Sequence, residues 1–142
     1  MMIIGVQNEI WGATRFVKYL FLADKNSIFG KDTLSIHWKS HIFGPYWDGF
    51  DAAIQELETK GLLETEEQHT MSGHATTKFS ITTRGRARFN ELDGEYQSEI
   101  KHLTDLIRNH QKKSLLNLLK FVYEQHPEYT RNSKIKDLIL EY

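Results

Sequence analysis

Residues 44–64 read GPYWDGFDAAIQELETKGLLE, and this stretch contains the signals for both ends of one helix. Its apolar residues recur at the i, i+3, i+4, i+7 spacing of a single helix face. They are Phe50, Ala53, Ile54 and Leu57. Gly44-Pro45 interrupts any strand that enters the stretch, and Asp48 is predicted as the N-cap because its carboxylate can accept from the free amides of the first turn. Gly61 is predicted to end the helix in the left-handed conformation.

The residues after this helix predict a β-hairpin and then another helix. Residues 62–67 and 77–82 have the character of strands, and a polar tip containing Ser-Gly joins them. A further helix is predicted with Thr83 as its N-cap and with Ala87, Phe89 and Leu92 facing the core. A helix followed by Gly-Leu-Leu and a polar hairpin is typical of the second half of a winged helix-turn-helix domain.

The residues before this unit predict one helix and one strand. Residues 8–22 carry an apolar stripe at helical spacing, formed by Ile10, Thr14, Val17 and Phe21. Residues 34–43 alternate imperfectly between apolar and polar side chains. We interpret them as a strand, with a short helix as the alternative.

The residues after this unit predict three more helices, over residues 95–110, over residues 114–125 and from Asn132 or Ser133 onward. The first of them carries a stripe of Tyr96, Ile100, Leu103 and Ile107, and the second carries Leu115, Leu118, Leu119 and Val122. The predicted fold class is therefore α+β, a winged helix-turn-helix with additional C-terminal helices. Apolar faces that one chain leaves uncovered seek a partner, so these helices also predict a homodimer. The alternative is that the three helices pack on one another and on residues 8–22 within one chain and complete a larger core.

The length of 142 residues predicts a single domain, residues 1–142, with a winged-helix core at about 7–94 and a C-terminal helical extension at about 95–142. The chain has no cysteine, which excludes disulfides and thiolate ligands. No N-terminal stretch has the character of a signal peptide, and no apolar run is long enough to cross a membrane. We therefore expect a cytoplasmic protein without a membrane partner.

Several stretches resemble the YwgA-like winged-helix proteins, with the Panacea-type antitoxin domain as a more distant relative. They are residues 18–24 (KYLFLAD), 43–46 (FGPY), 57–63 (LETKGLL) and 118–129 (LLKFVYEQHPEY), with Ser133-Lys-Ile135 after the last. These motifs are turns, caps and core positions. The resemblance implies a non-enzymatic winged-helix protein in regulation or in host–virus conflict, and it supplies no site residues.

The charges around the hairpin bear on nucleic-acid binding. In a winged helix, the helix before the wing enters the major groove and should present basic or amide side chains. Here its outward face carries Asp48, Asp51, Gln55 and Glu58, which repel phosphate. DNA contact would therefore be weak and led by the wing, through Lys78, Arg84, Arg86, Arg88 and His74. The competing interpretation is a solvated helix start whose arginines pair with Glu91 and Glu95.

The same acidic helix predicts a protein-interaction face made of Trp47, Asp48, Asp51, Gln55 and Glu58. A basic partner would suit this charge, and an exposed Trp47 would anchor an interface. Trp47 has the alternative of filling the core, which is the role that we expect for Trp38.

Catalytic and metal-binding motifs are not found in the sequence. It has no nucleophile elbow, no phosphate-binding glycine loop and no His-Glu-x-x-His. Seven histidines without cysteine favour surface histidines over a zinc site. We therefore expect no enzyme, no catalytic residues, no metal and no cofactor.

Two functions are left open. The first is a non-enzymatic winged-helix regulatory module associated with nucleic acid, similar to a transcription regulator. The second is a protein-interaction module, such as an antitoxin or an accessory subunit of an antiviral defence complex, that binds a basic partner through the acidic helix. The outward charge of that helix favours the second function, and the fold-level analogy favours the first.

Overall fold

The computed structural model describes residues 1–26, 38–41, 44–69, 71, 73 and 75–129. The fold of these residues mixes six α-helices with short antiparallel strands. In chain order the elements are α1 (Met2–Gln7), β1 (Glu9–Trp11), α2 (Ala13–Lys25), β2 (Lys39–His41), β3 (Gly44–Tyr46), α3 (Phe50–Thr59), β4 (Leu63–His69), β5 (Ala75–Ile81), α4 (Thr83–Glu95), α5 (Gln97–His110) and α6 (Leu115–Gln125). A 3₁₀ turn, Pro127–Tyr129, follows α6.

The main sheet has three antiparallel strands in the order β1-β5-β4, so that β5 is the central strand. Phe79 on β5 lies opposite Ile10 on β1 and Thr65 on β4. Because side chains alternate along a strand, Ile10 and Phe79 point into the core, whereas Trp11 and Lys78 lie on the other face of the sheet. Strands β2 and β3 form a separate two-stranded sheet.

The predicted first helix, over residues 8–22, is wrong in its first five residues. Asn8 has φ of 67° and Gly12 has φ of 96°, and neither angle fits inside a right-handed helix. Between them the chain forms β1, so Ile10 is buried on a strand instead of a helix. The helix itself is α2, and the short α1, which precedes β1 and buries Ile3 and Ile4, was not predicted.

The two ends of α3 differ in how well the sequence predicts them. Gly61 has φ of 72°, which confirms the predicted left-handed helix end. The N-cap is Gly49, with no side-chain capping bond, so the prediction of Asp48 as N-cap is wrong. Asp48 instead forms an ion pair with Lys39 on β2. The incoming strand β2 ends at His41, which agrees with the break predicted at Gly44-Pro45, although these two residues themselves begin the next strand, β3.

The predicted hairpin is confirmed, with β4 and β5 paired over seven residues each. The cap of α4 is Thr82, one residue before the predicted Thr83, because the Thr82 side chain accepts from the Gly85 amide. Of the residues expected to face the core from α4, Phe89 is buried, Leu92 is half-buried and Ala87 is exposed.

The core is built around α2. Phe16 meets Phe50 of α3 and Phe79 of β5 edge-on, with ring centroids 5.3 and 5.2 Å apart. Trp38 is buried against Phe21, and its indole N–H donates to the Asp24 carboxylate at 2.6 Å, which confirms the core role expected for Trp38.

Most of the two predicted C-terminal stripes belong to the same core. Their buried members are Ile100, Leu103, Ile107, Leu118, Leu119 and Val122. Tyr96 and Leu115 are exposed, because Tyr96 lies at the junction of α4 and α5 and Leu115 is the first residue of α6.

Some sequence predictions lie outside the described residues. They are the start of the predicted strand over 34–43, the last predicted helix and His74 at the hairpin tip. In the part of the chain that the structure describes, no helix has the length and apolar character needed to span a bilayer.

Candidate protein-interaction surface

The outward face of α3 is polar and acidic. Phe50 and Ile54 are buried on the inner face, and the helical repeat places Asp51, Gln55 and Glu58 together along one side of the helix, where all three are exposed. Three of the five residues predicted for a protein-interaction face are therefore presented together by one rigid helix.

The other two predicted residues lie just before α3. Asp48 is exposed and pairs with Lys39, so part of its charge is neutralised locally. Trp47 is half-buried: its indole packs against the core and lies close to Gly49, where a Cβ atom would be 2.6 Å from the ring. Trp47 thus supports the start of α3 and presents only part of its ring to solvent.

The pKa of Tyr46 reflects both its burial and the negative charge of the carboxylates near the start of α3. Burial raises the pKa of its phenol, and the nearby carboxylates of Asp51 and Asp48 raise it further. On the other side of α3, Lys60 donates a hydrogen bond to the Glu56 carboxylate and lowers the pKa of Glu56. The positive charge of Lys60 therefore lies next to that carboxylate. The outward face keeps the charges of Asp51 and Glu58.

The acidic surface continues from α3 onto the neighbouring strand β4. The Glu58 carboxylate accepts from the Thr65 hydroxyl at 3.3 Å, which joins the two elements. Three further exposed carboxylates lie along β4. Glu67 is on the same side of the sheet as Thr65, whereas Glu64 and Glu66 point to the opposite side, where Glu66 pairs with Lys78. We call Asp48, Asp51, Glu58 and Glu67 the α3–β4 surface. The β4 residues were not predicted as part of a site, although the run ETEEQH shows their acidity in the sequence.

The residues predicted for nucleic-acid contact do not converge. Lys78 lies between the Trp11 ring, 5.6 Å from its centroid, and the Glu66 carboxylate at 3.6 Å. These neighbours come from β1 and β4, because β5 is the central strand. The position of Lys78 therefore gives it intramolecular partners on both sides.

The arginines after the hairpin have separate neighbours, although Arg84 and Arg88 lie one turn apart on α4. Arg86 hydrogen bonds to the Asn8 side chain and lies over the Phe89 ring, and Arg88 forms an ion pair with Glu91 at 2.9 Å, as the competing interpretation expected. Arg84 is exposed and forms no ion pair with any described residue. His74 lies outside the described residues.

Two further observations concern metal binding and the charged residues that line a cleft. The described residues contain no group of three or more His, Asp or Glu side chains that could hold a metal. An open cleft of about 570 Å³ lies between α1, α4 and α5, and its charged lining is mixed in sign: Arg86, Asp93, Lys101, Asp105 and Arg108. This lining has no constellation of nucleophile and base that would define a reaction.

Comparisons with known proteins do not name a family. No family model matches the chain, and no curated protein or solved structure matches it. The described residues define a mixed α+β fold.

Proposed function

We propose that this chain is a non-enzymatic binding module of the winged-helix class whose α3–β4 surface engages a basic segment of a protein partner. The observation that carries the proposal is the outward face of α3, where Asp51, Gln55 and Glu58 are exposed. A phosphate backbone would be repelled there, whereas lysine and arginine side chains would be attracted.

The order of the elements supports the winged-helix class. A short helix, a strand and a second helix are followed by the β2–β3 pair, then by α3 and at once by the β4–β5 hairpin, and β1 completes the sheet by pairing with β5. The β2–β3 pair between α2 and α3 is an addition to the usual winged-helix order. In this interpretation α3 takes the place of the recognition helix and the hairpin is the wing. Helices α5 and α6 are the additional C-terminal helices.

The proposed role agrees with the resemblance to YwgA-like proteins and to the antitoxin domain related to them. An antitoxin, or an accessory subunit of a defence complex, acts by covering a surface of another protein. We propose such a role in the cytoplasm, with a partner whose docking segment is rich in lysine or arginine.

The test is a titration of the whole chain at low salt, followed by fluorescence anisotropy, against labelled octalysine, octaglutamate and random-sequence duplex DNA. We expect binding of octalysine alone, and a loss of about tenfold or more in affinity in D51K/E58K. The matched control E95K/E124K changes the net charge equally at exposed positions on α4 and α6, and it should bind as the wild type does. If both variants lose the same affinity for octalysine, the effect comes from net charge and not from the α3 face, which would contradict the proposal.

A second function, nucleic-acid association led by the wing, is favoured by the exposed Arg84, which has no ion pair among the described residues. If the chain binds duplex DNA, R84E should reduce the slope of log K against log salt by about one. R88E is the control, because Arg88 is paired with Glu91. An unchanged slope in R84E would exclude Arg84 from contact with DNA.

A further inference from the structure

The outer edge of β4 has backbone groups that no described strand pairs with, and the hydrogen bonds of the sheet identify them. The Gly12 amide donates to the Thr77 carbonyl at 2.8 Å, and the Ile81 amide donates to the Asn8 carbonyl at 2.9 Å. The amide and carbonyl of one strand residue point to the same side. The odd-numbered residues of β5 therefore bond towards β1, and its even-numbered residues bond towards β4.

The pairing of β4 with β5 shows that the residues of β4 follow the same alternation. Glu66 lies opposite Lys78, and the even-numbered residues of β4 lie opposite the even-numbered residues of β5. The Thr82 amide donates to the Leu62 carbonyl at 3.2 Å, which follows the same pattern. The amides and carbonyls of Thr65, Glu67 and His69 therefore point away from the sheet.

Apart from its glutamates, this edge lacks the features that usually protect a sheet from pairing with another strand. In the part of the chain that the structure describes, β4 is an edge strand of seven residues, LETEEQH, without proline, glycine or lysine. An edge of this length can accept an extended segment through main-chain hydrogen bonds.

The charge of the β4 edge indicates which kind of strand can pair with it. Glu64, Glu66 and Glu67 are exposed along β4, and Glu58 contacts Thr65 at the start of the edge. Opposite charges on neighbouring strands stabilise pairing, whereas like charges destabilise it. A second copy of β4 would place glutamates beside glutamates, so this charge disfavours self-pairing and favours a basic segment.

Building on the proposed function, we propose that the basic partner binds as an extended strand added to the outer edge of β4. Its main chain pairs with the backbone of Thr65, Glu67 and His69. Its lysine or arginine side chains lie beside the glutamates of β4, and the adjoining carboxylates of α3 extend the contact.

The experiment uses two labelled peptides of one sequence, KTKVKTK, which differ only in that the second is N-methylated at every internal residue. Methylation removes the amide donors and keeps the charge. We expect the unmethylated peptide to bind the wild type and the methylated one to bind about tenfold more weakly or worse. T65P removes one outward amide and leaves the β4–β5 bonds in place, and it should weaken binding of the unmethylated peptide similarly. T65A, which loses only the hydroxyl bond to Glu58 and keeps the amide, is the control and should bind as the wild type does.

Amide hydrogen exchange gives a second measurement that does not depend on a variant. Binding should slow exchange at Thr65, Glu67 and His69 and leave Glu64 and Glu66 unchanged, because those amides are already bonded within the sheet. If both peptides bind with equal affinity and D51K/E58K weakens both, the partner does not bind as an added strand, but the proposed function still holds. Failure of the unmethylated peptide to bind would overturn both the added strand and the proposed function.

Discussion

Lys18 on α2 is a buried amine. It is 2% exposed, and its Nζ donates to the carbonyl oxygen of Pro45 at 2.8 Å, which ties α2 to β3. Burial lowers the pKa of Lys18 from 10.5 to about 7. The amine therefore loses its proton near neutral pH in the folded chain, whereas in the unfolded chain it keeps the proton up to a much higher pH.

This difference predicts how stability depends on pH. Between about pH 7 and 10.5, the unfolded chain binds a proton at Lys18 that the folded chain lacks, so the free energy of unfolding should rise with pH. The limiting slope for one such group is about 1.4 kcal/mol per pH unit. K18M should remove this contribution, as measured by urea unfolding with tryptophan fluorescence between about pH 8 and 10. K101M, at an exposed helical lysine, should retain it. A K18M slope equal to that of the wild type would contradict the prediction.

Single residues differ in how far the sequence reveals them. Gly61 could be predicted because a glycine after the last apolar position of a helix has few other roles. Asp48 was mispredicted because Lys39, nine residues earlier, competes for its carboxylate across the β2–β3 pair. The burial of Lys18 was not predicted, since its acceptor is the main chain of Pro45, and a main-chain contact leaves no pattern of residue types.

At the scale of elements, the start of α4 is fixed by one hydroxyl. Thr82 Oγ1 accepts from the Gly85 amide at 2.9 Å and donates to the Gly61 carbonyl at 2.6 Å, so it links the start of α4 to the end of α3. T82A should lower the free energy of unfolding by about 1 to 2 kcal/mol, because a helix cap and a second hydrogen bond are both lost.

Thr83 is the matched control for this prediction. It is exposed at the first position of α4, and T83A should change stability by about 0.5 kcal/mol or less. The free energies of unfolding of the two variants, measured by thermal or urea unfolding, show which threonine caps α4. A larger loss in T83A than in T82A would restore the cap predicted from the sequence.

The sequence predicted those elements that are long and strongly periodic. Helices α3, α5 and α6 and the hairpin follow from their spacing, because one buried face dominates each of them. Strand β1 was missed because it has three residues and a single buried side chain, Ile10, whose position also fits the helical stripe of α2. Only the tertiary pairing with Phe79 distinguishes the two.

At the scale of the whole molecule, the stripes that predicted a homodimer are largely covered within one chain. Six of their eight residues are buried in the core, and only Tyr96 and Leu115 remain exposed. We now expect a monomer, because two separate exposed side chains make a small apolar surface. Sedimentation equilibrium at micromolar concentration should give a mass near 16.7 kDa over a wide dilution range. A mass of twice that value would contradict the monomer and support the homodimer predicted from the sequence.

The candidate site could be predicted in part from the sequence. The spacing of Asp51 and Glu58 on a helix was sufficient to predict one acidic face. That β4 extends this face, and that Lys78 is held between Trp11 and Glu66, depend on which strands are neighbours. Strand order is set by packing across the chain, which residue spacing alone does not encode.

We propose that the charge on the outward face of α3 makes this chain a module for a basic protein segment. The most direct test is the ratio of affinities for octalysine and duplex DNA, measured at one low salt concentration in the wild type and in D51K/Q55K/E58K. We expect the wild type to prefer the peptide. The triple variant should bind the peptide about tenfold more weakly or worse and should gain DNA binding, because its α3 then presents a basic face beside the hairpin. An unchanged preference for octalysine in the triple variant would contradict this proposal.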